Sequence, residues 1–144
     1  ALNAGIAVGA TCILIPEIDY DIDSYIIERM KRTQKTGKEH FVIVVAEGVG
    51  GVEDIAKKIE EATGIESRAT ILGHVQRGGS PTVRDRVIAS RMGARCVELL
   101  LEGKANRIVR INNGQIDDIY INEGLEMKKE IPQELLELAK KLTI

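Results

Sequence analysis

The sequence predicts an α/β layered fold, a sandwich built on a largely parallel sheet. Short unbroken apolar runs alternate with amphipathic segments of helical period, the order expected when a sheet is covered by helices. The central run, His40 to Ala46, is apolar almost throughout, as a strand buried on both faces must be. At 144 residues, 44% of them hydrophobic and 29% charged, the chain is long enough for a sizeable core and ordinary in composition for a globular protein.

Each element follows from its local pattern. Ala1 to Ala10 reads as the last turns of a helix with no N-cap before it, so the sequence reads as a piece of something longer. Cys12 to Ile15 reads as a buried strand. Ile22, Tyr25, Ile26 and Arg29-Met30 recur at helical spacing from Ile22 to Gln34, and Gly37 closes that helix. Val52 to Ala62 forms a second helix with Ile55 and Ile59 inward and Lys57, Lys58, Glu60 and Glu61 outward. Ala69 to Leu72 reads as a third strand. Thr82 followed by Asp85 forms a capping-box arrangement that opens a long helix to about Leu101. Arg107 to Ile111 and Gln115 to Ile121 flank Asn112-Asn113-Gly114, a strong hairpin turn. A helix over Pro132 to Leu142 closes the chain.

Composition excludes several functions. With one Phe, three Tyr and no Trp, the core rests on aliphatic residues, and few rings remain for stacking bases. A net charge of −2 argues against nucleic acid as a partner. No long apolar span suggests a membrane partner, and no signal peptide is evident, so a cytoplasmic location is expected. Cys12 and Cys96 lie in apolar sequence with no Cys-x-x-Cys spacing, and both read as buried free thiols.

The stretch His74-Val75-Gln76-Arg77-Gly78-Gly79-Ser80-Pro81 carries the chemistry. It sets an imidazole and a guanidinium three residues apart on a glycine-bounded loop after the third apolar run, where open α/β sheets bind ligands. The guanidinium offers a planar fork of donors suited to phosphate, so an anionic, phosphorylated small molecule is the natural guest. Glu47 ends the central strand beside Gly48-Val49-Gly50-Gly51, where a carboxylate can accept from sugar hydroxyls or simply be solvated. Arg68, at the start of the third run, reads by itself as a solvated strand-edge side chain. No Walker-type phosphate loop occurs.

Leu72 to Pro81, continued by Asp85-Arg86-Val87-Ile88-Ala89-Ser90-Arg91-Met92-Gly93-Ala94, closely resembles the bacterial-type ATP-dependent 6-phosphofructokinases. Ile13 to Glu17, Val44 to Gly48 and Leu99 to Lys104 extend the likeness over almost the whole chain. The resemblance implies the carboxyl-terminal, substrate-binding half of such an enzyme, incomplete relative to the family fold. It implies fructose 6-phosphate as ligand of Glu47, His74 and Arg77, with Arg68 reaching a neighbouring subunit's site in a tetramer. It places 1–79 and 129–144 in the substrate-side domain, and 80–128 against a nucleotide-side half that is missing here. In that setting the Thr82 helix and the hairpin would expose apolar surface.

Gly9 and Lys38, with Thr11, fall where the resemblance implies an allosteric nucleotide site. Many relatives carry a glutamate at the position of Thr11 and a basic residue at that of Thr36, so altered effector control is expected. The family's catalytic aspartate segment and its Met-Gly-Arg segment are not in this sequence. No catalytic or metal-binding residue is therefore assigned. Mg²⁺ with ATP belongs to the intact enzyme, none being bound by this chain alone. A pyrophosphate-dependent relative and a non-catalytic phosphosugar-binding or subunit-interaction module are the alternatives.

Overall fold

In a computed structural model of the chain, residues 1–128 and 130–142 are described, and they divide into two compact units. One is Ala1–Ile71 together with the stretch from Ile131; the other is Leu72–Glu130.

The first unit is built on two parallel strands, β1 (Cys12–Leu14) and β2 (Ile43–Val45), in the register Cys12↔Ile43, Ile13↔Val44, Leu14↔Val45. Successive side chains of a strand point to opposite faces, and β1 uses both. Cys12 and Leu14 join Ile26, Ile27, Met30 and Ile59 in one core cluster. Ala10, Ile13 and Ile15 join Ala139 in a second. The first cluster is closed by a π-helical turn (Asp23–Ile27) that runs into α2 (Glu28–Gln34), and by α3 (Val52–Thr63). The second is closed by α1 (Leu2–Ala7) and α6 (Gln133–Leu142). Helices on both faces of a parallel pair give the expected α/β sandwich.

Local chemistry sets the joints of this unit. The Asp21 carboxylate accepts from the Ser24 amide at 3.2 Å and starts the second helical stretch. The Cys12 thiol donates to the Tyr25 carbonyl at 3.4 Å inside the π-helical turn. Burial pushes that thiol above its ordinary pKa, with the Arg29 guanidinium pulling it back. Lys58 of α3 pairs with Asp23 at 2.8 Å, tying the two helical segments together.

Two expectations are corrected. Ala69 to Leu72 forms no strand; it is extended, but no ladder partner lies beside it among the described residues. Strand propensity without a hydrogen-bonding neighbour does not make a strand. Cys96 is exposed, unlike buried Cys12. It lies on α4 (Val83–Leu101), whose one buried residue is Leu99, so apolar flanking sequence there does not mean burial.

The second unit joins α4 to an antiparallel hairpin, β3 (Arg107–Asn112) and β4 (Gln115–Tyr120). Thr82 and Asp85 form the expected capping box, the Asp85 amide donating to Thr82 Oγ1 at 3.2 Å and the Thr82 amide to Asp85 at 2.8 Å. The turn places Asn113 at φ 49° and Gly114 at φ 78°, the left-handed pair that a tight two-residue hairpin requires. A short helix the sequence did not foretell, α5 (Ile121–Glu126), follows directly, with Glu123 accepting from the Tyr120 amide at 3.3 Å. Gly124 lets it lie close, since a Cβ there would sit 2.5 Å from Ile108 Cδ1.

Charge holds α4 to the hairpin. Arg95 reaches Asp118 at 2.7 Å, Arg107 reaches the same carboxylate at 3.4 Å, and the Arg107 guanidinium lies 3.7 Å from the Tyr120 ring centroid. Arg110 pairs with Asp117 at 2.7 Å. The hydrogen bonds from Arg95 and Arg110 hold Asp118 and Asp117 below the usual carboxylate range. A carboxylate depressed in the folded state adds stability above its unfolded pKa and loses it as pH falls.

Two outcomes follow for stability. The hairpin amides should lose exchange protection on acidification below about pH 4, and Asp118→Asn should remove most of that response. A pH-independent hairpin in the natural chain would show that the pairs contribute nothing. Gly5→Ala would put a Cβ 2.5 Å from the buried Ile13 Cδ1. It should lower the urea-unfolding stability by about 1–3 kcal/mol, and an unchanged midpoint would mean that Ile13 has room to move.

Candidate functional site

The carboxyl ends of β1 and β2 lie side by side, the Ala46 amide donating to the Leu14 carbonyl at 2.9 Å. Pro16 follows one strand and a 3₁₀ turn, Glu47–Val49, follows the other. A Cβ on Gly48 would meet Pro16 Cγ at 3.0 Å, so the missing side chain lets the two ends come together. Gly50 and Gly51, at φ 68° and 57°, then turn the chain into α3. Glu47 opens the turn exposed to solvent, and its carboxylate makes no hydrogen bond or ion pair with the described residues.

His74 and Arg77 lie on a second 3₁₀ turn, Gly73–Arg77. With three residues per turn, positions i and i+3 of such a turn eclipse. The imidazole and the guanidinium therefore stand on one face. Gly73 at φ 55° opens the turn and Gly79 at φ 123° lies beyond its end, conformations glycine adopts without strain. Both side chains are exposed, and neither pairs with a described residue. Two unpaired donors on one face are suited to an anion.

Arg68 is placed differently. Its guanidinium grips Glu66 through Nε at 2.9 Å and Nη2 at 2.7 Å. That pair raises the Arg68 pKa further, leaving the group cationic at every physiological pH. Glu47 and Arg68 belong to the first compact unit, His74 and Arg77 to the second.

Around Gly9 and Lys38 the structure adds a residue that periodicity had marked only as a helix position. Arg29 donates to the Thr11 carbonyl at 3.3 Å and lies 5.3 Å from the Tyr25 ring centroid. Thr11 is 3% exposed and its hydroxyl has no partner among the described residues. Gly9 takes φ 62°, and the Lys38 ammonium stands 5.8 Å from the Phe41 ring centroid. Nothing local in the sequence could have disclosed the Arg29 contact, which joins residues 18 positions apart. Among the described residues no cluster of three His, Cys, Asp or Glu is arranged to hold a metal ion, and no helix is long and apolar enough to cross a membrane.

The phosphofructokinase family model matches residues 1–100. The chain is 56% identical over all 144 residues to an ATP-dependent 6-phosphofructokinase of Bacillus cytotoxicus, and 51% identical to one of Clostridioides difficile. It spans 45% of the length of each. Solved phosphofructokinases superpose on it. The Saccharomyces cerevisiae structure gives a TM-score of 0.78 at 28% identity, and that of Pichia pastoris in the T-state 0.72 at 27%. These superpositions cover 99% of this chain, but 20% and 17% of those chains respectively. The chain belongs to the phosphofructokinase family.

The Arg68–Glu66 pair is open to solvent, so its net effect on stability is small. Glu66→Gln should leave the urea midpoint unchanged and simply free the guanidinium. A lowered midpoint would instead give the pair a structural role.

Proposed function

We propose that this chain is the substrate-binding half of an ATP-dependent 6-phosphofructokinase, and that it holds fructose 6-phosphate. The intact enzyme transfers the γ-phosphoryl group of ATP to the 1-hydroxyl of the sugar. The oxygen–phosphorus bond to the ADP leaving group breaks as the bond to the sugar oxygen forms, and the hydroxyl proton leaves to a base outside this chain. The observation that carries the proposal is the pair of unpaired donors, His74 and Arg77, presented on one face of a glycine-bounded turn.

Each residue has a role its chemistry supports. Arg77 gives a bidentate contact to the sugar phosphate, and His74 donates to the same group. Glu47, exposed where β2 ends, accepts from a sugar hydroxyl. Arg68 acts across a subunit interface of a tetramer, which requires it to exchange Glu66 for phosphate. In this reading 1–79 and 129–144 form the substrate-side domain and 80–128 pack against the nucleotide-side half. Mg²⁺ arrives with ATP and neutralises developing phosphoryl charge; no side chain of this chain is assigned to it. The cytoplasm is the compartment such an enzyme works in.

Gly9 and Lys38 belong to an effector-nucleotide site whose control is altered. Thr11 brings no carboxylate to a hard cation, and its buried hydroxyl supports that reading.

Calorimetric titration of fructose 6-phosphate into the 144-residue chain tests the proposal. Binding should be present, and Arg77→Ala should weaken it by about 10- to 100-fold, the loss expected for charge-assisted hydrogen bonds of about 1.5–3 kcal/mol. Glu47→Gln should weaken it less, with the fold intact by circular dichroism. Binding insensitive to Arg77→Ala would remove the turn from the site. Absence of binding, with the fold intact, would refute an independent sugar-phosphate half-site. In the intact enzyme, Arg77→Ala should raise the KM for fructose 6-phosphate and leave that for ATP nearly unchanged.

A further inference from the structure

β2 uses only one of its two edges. The Thr11 amide donates to the Val42 carbonyl at 2.7 Å, and the Ala46 amide donates to Leu14, so the even-numbered residues of this run carry the ladder to β1. Main-chain groups alternate sides along a strand, which turns the N–H and C=O of Ile43 and Val45 to the opposite edge. Among the described residues no strand pairs there. An open groove of about 320 Å³ lies against it, lined by Phe41, Ile43, Val45 and Ile59 on one side and by Ala69 and Thr70 on the other.

The segment on that other side has the makings of a strand except for its hydrogen bonds. From Arg68 to Leu72 no amide donates to a described residue. Ile71 and Leu72 are 71% and 58% exposed, an unfavourable state for apolar residues in a run of strand-like composition. Gly64 and Gly73 bracket the segment at φ 71° and 55°, two positions where the backbone turns without steric cost. The connection from β2 passes through the twelve residues of α3, the length a crossover needs to bring a following strand back parallel.

We propose that Arg68–Leu72 is a strap that closes onto the free edge of β2 as a third parallel strand, and that the chain exchanges between open and closed forms. The strap already lines the groove, so closing needs only rotation at its glycine ends. A second copy of the chain would have to displace it. Closure also covers an edge that would otherwise offer itself to intermolecular pairing. The strap leads straight into Gly73 and the turn that carries His74 and Arg77, so closing it restrains the root of that turn. The inference stands whatever that turn binds.

Amide hydrogen exchange of the natural chain tests this. Closure slows exchange at alternate amides of Arg68–Leu72 by about tenfold or more relative to an unstructured peptide, as a closed form in roughly tenfold excess requires. The slowing should not change with protein concentration. Of Thr70→Pro and Ile71→Pro, one removes an N–H that faces β2, and that variant should return the strap to the unstructured rate while β1 and β2 stay protected. Exchange at the unstructured rate in the natural chain overturns the proposal. Protection that both proline variants retain does so too. Protection that grows with protein concentration also overturns it, because a second copy would then occupy the edge.

Discussion

The parallel pairing of β1 with β2 is the constraint on which the first unit depends. Three residue pairs set the register, and from it follows which side chains face which core. Cys12 and Leu14 go to one side, Ile13 and Ile15 to the other, and each side needs helices to keep it from water. Burying an aliphatic side chain of this size is worth about 1.5–3 kcal/mol, so both faces must be covered at once. α1 and α6 answer one face, α2 and α3 the other. The same pairing aligns the two carboxyl ends, and Gly48 against Pro16 lets them close up with Glu47 at the rim.

The second unit is held on different terms. One residue of a nineteen-residue helix is buried, and the contacts between α4 and the hairpin are led by the Arg95, Arg107 and Asp118 cluster. Asp118 is only 13% exposed, which keeps its two guanidinium partners from being fully screened. Val83, Val87, Leu100 and Leu101 remain open along the helix. That exposure agrees with what the family resemblance implied for this helix, and with a chain spanning 45% of its relatives' length.

The candidate site combines a motif with a geometry. The run from His74 to Pro81 was readable from residue types alone, because imidazole, guanidinium and flanking glycines have few other uses together. What the turn does with them was not readable. A 3₁₀ turn stacks residues three apart, where an irregular loop would scatter them. Arg68 makes the contrast: its sequence neighbours suggested a solvated edge, and its actual partner is Glu66, two residues back.

The sequence by itself determined the elements whose causes are local. The Thr82–Asp85 cap, the Asn113-Gly114 turn, the period of α3 and the apolar run of β2 each arise from residues a few positions apart, and each stands where its pattern put it. Only the tertiary structure decided whether those elements found partners. Ala69 to Leu72 has the residues of a strand but no ladder. Cys96 sits in apolar sequence on a helix that buries one residue. Arg29 meets Thr11 across 18 positions. A strand, a buried thiol and a guanidinium contact all depend on what stands opposite. Hydrogen bonds and apolar burial are made between segments, and a local pattern states only what a segment can offer.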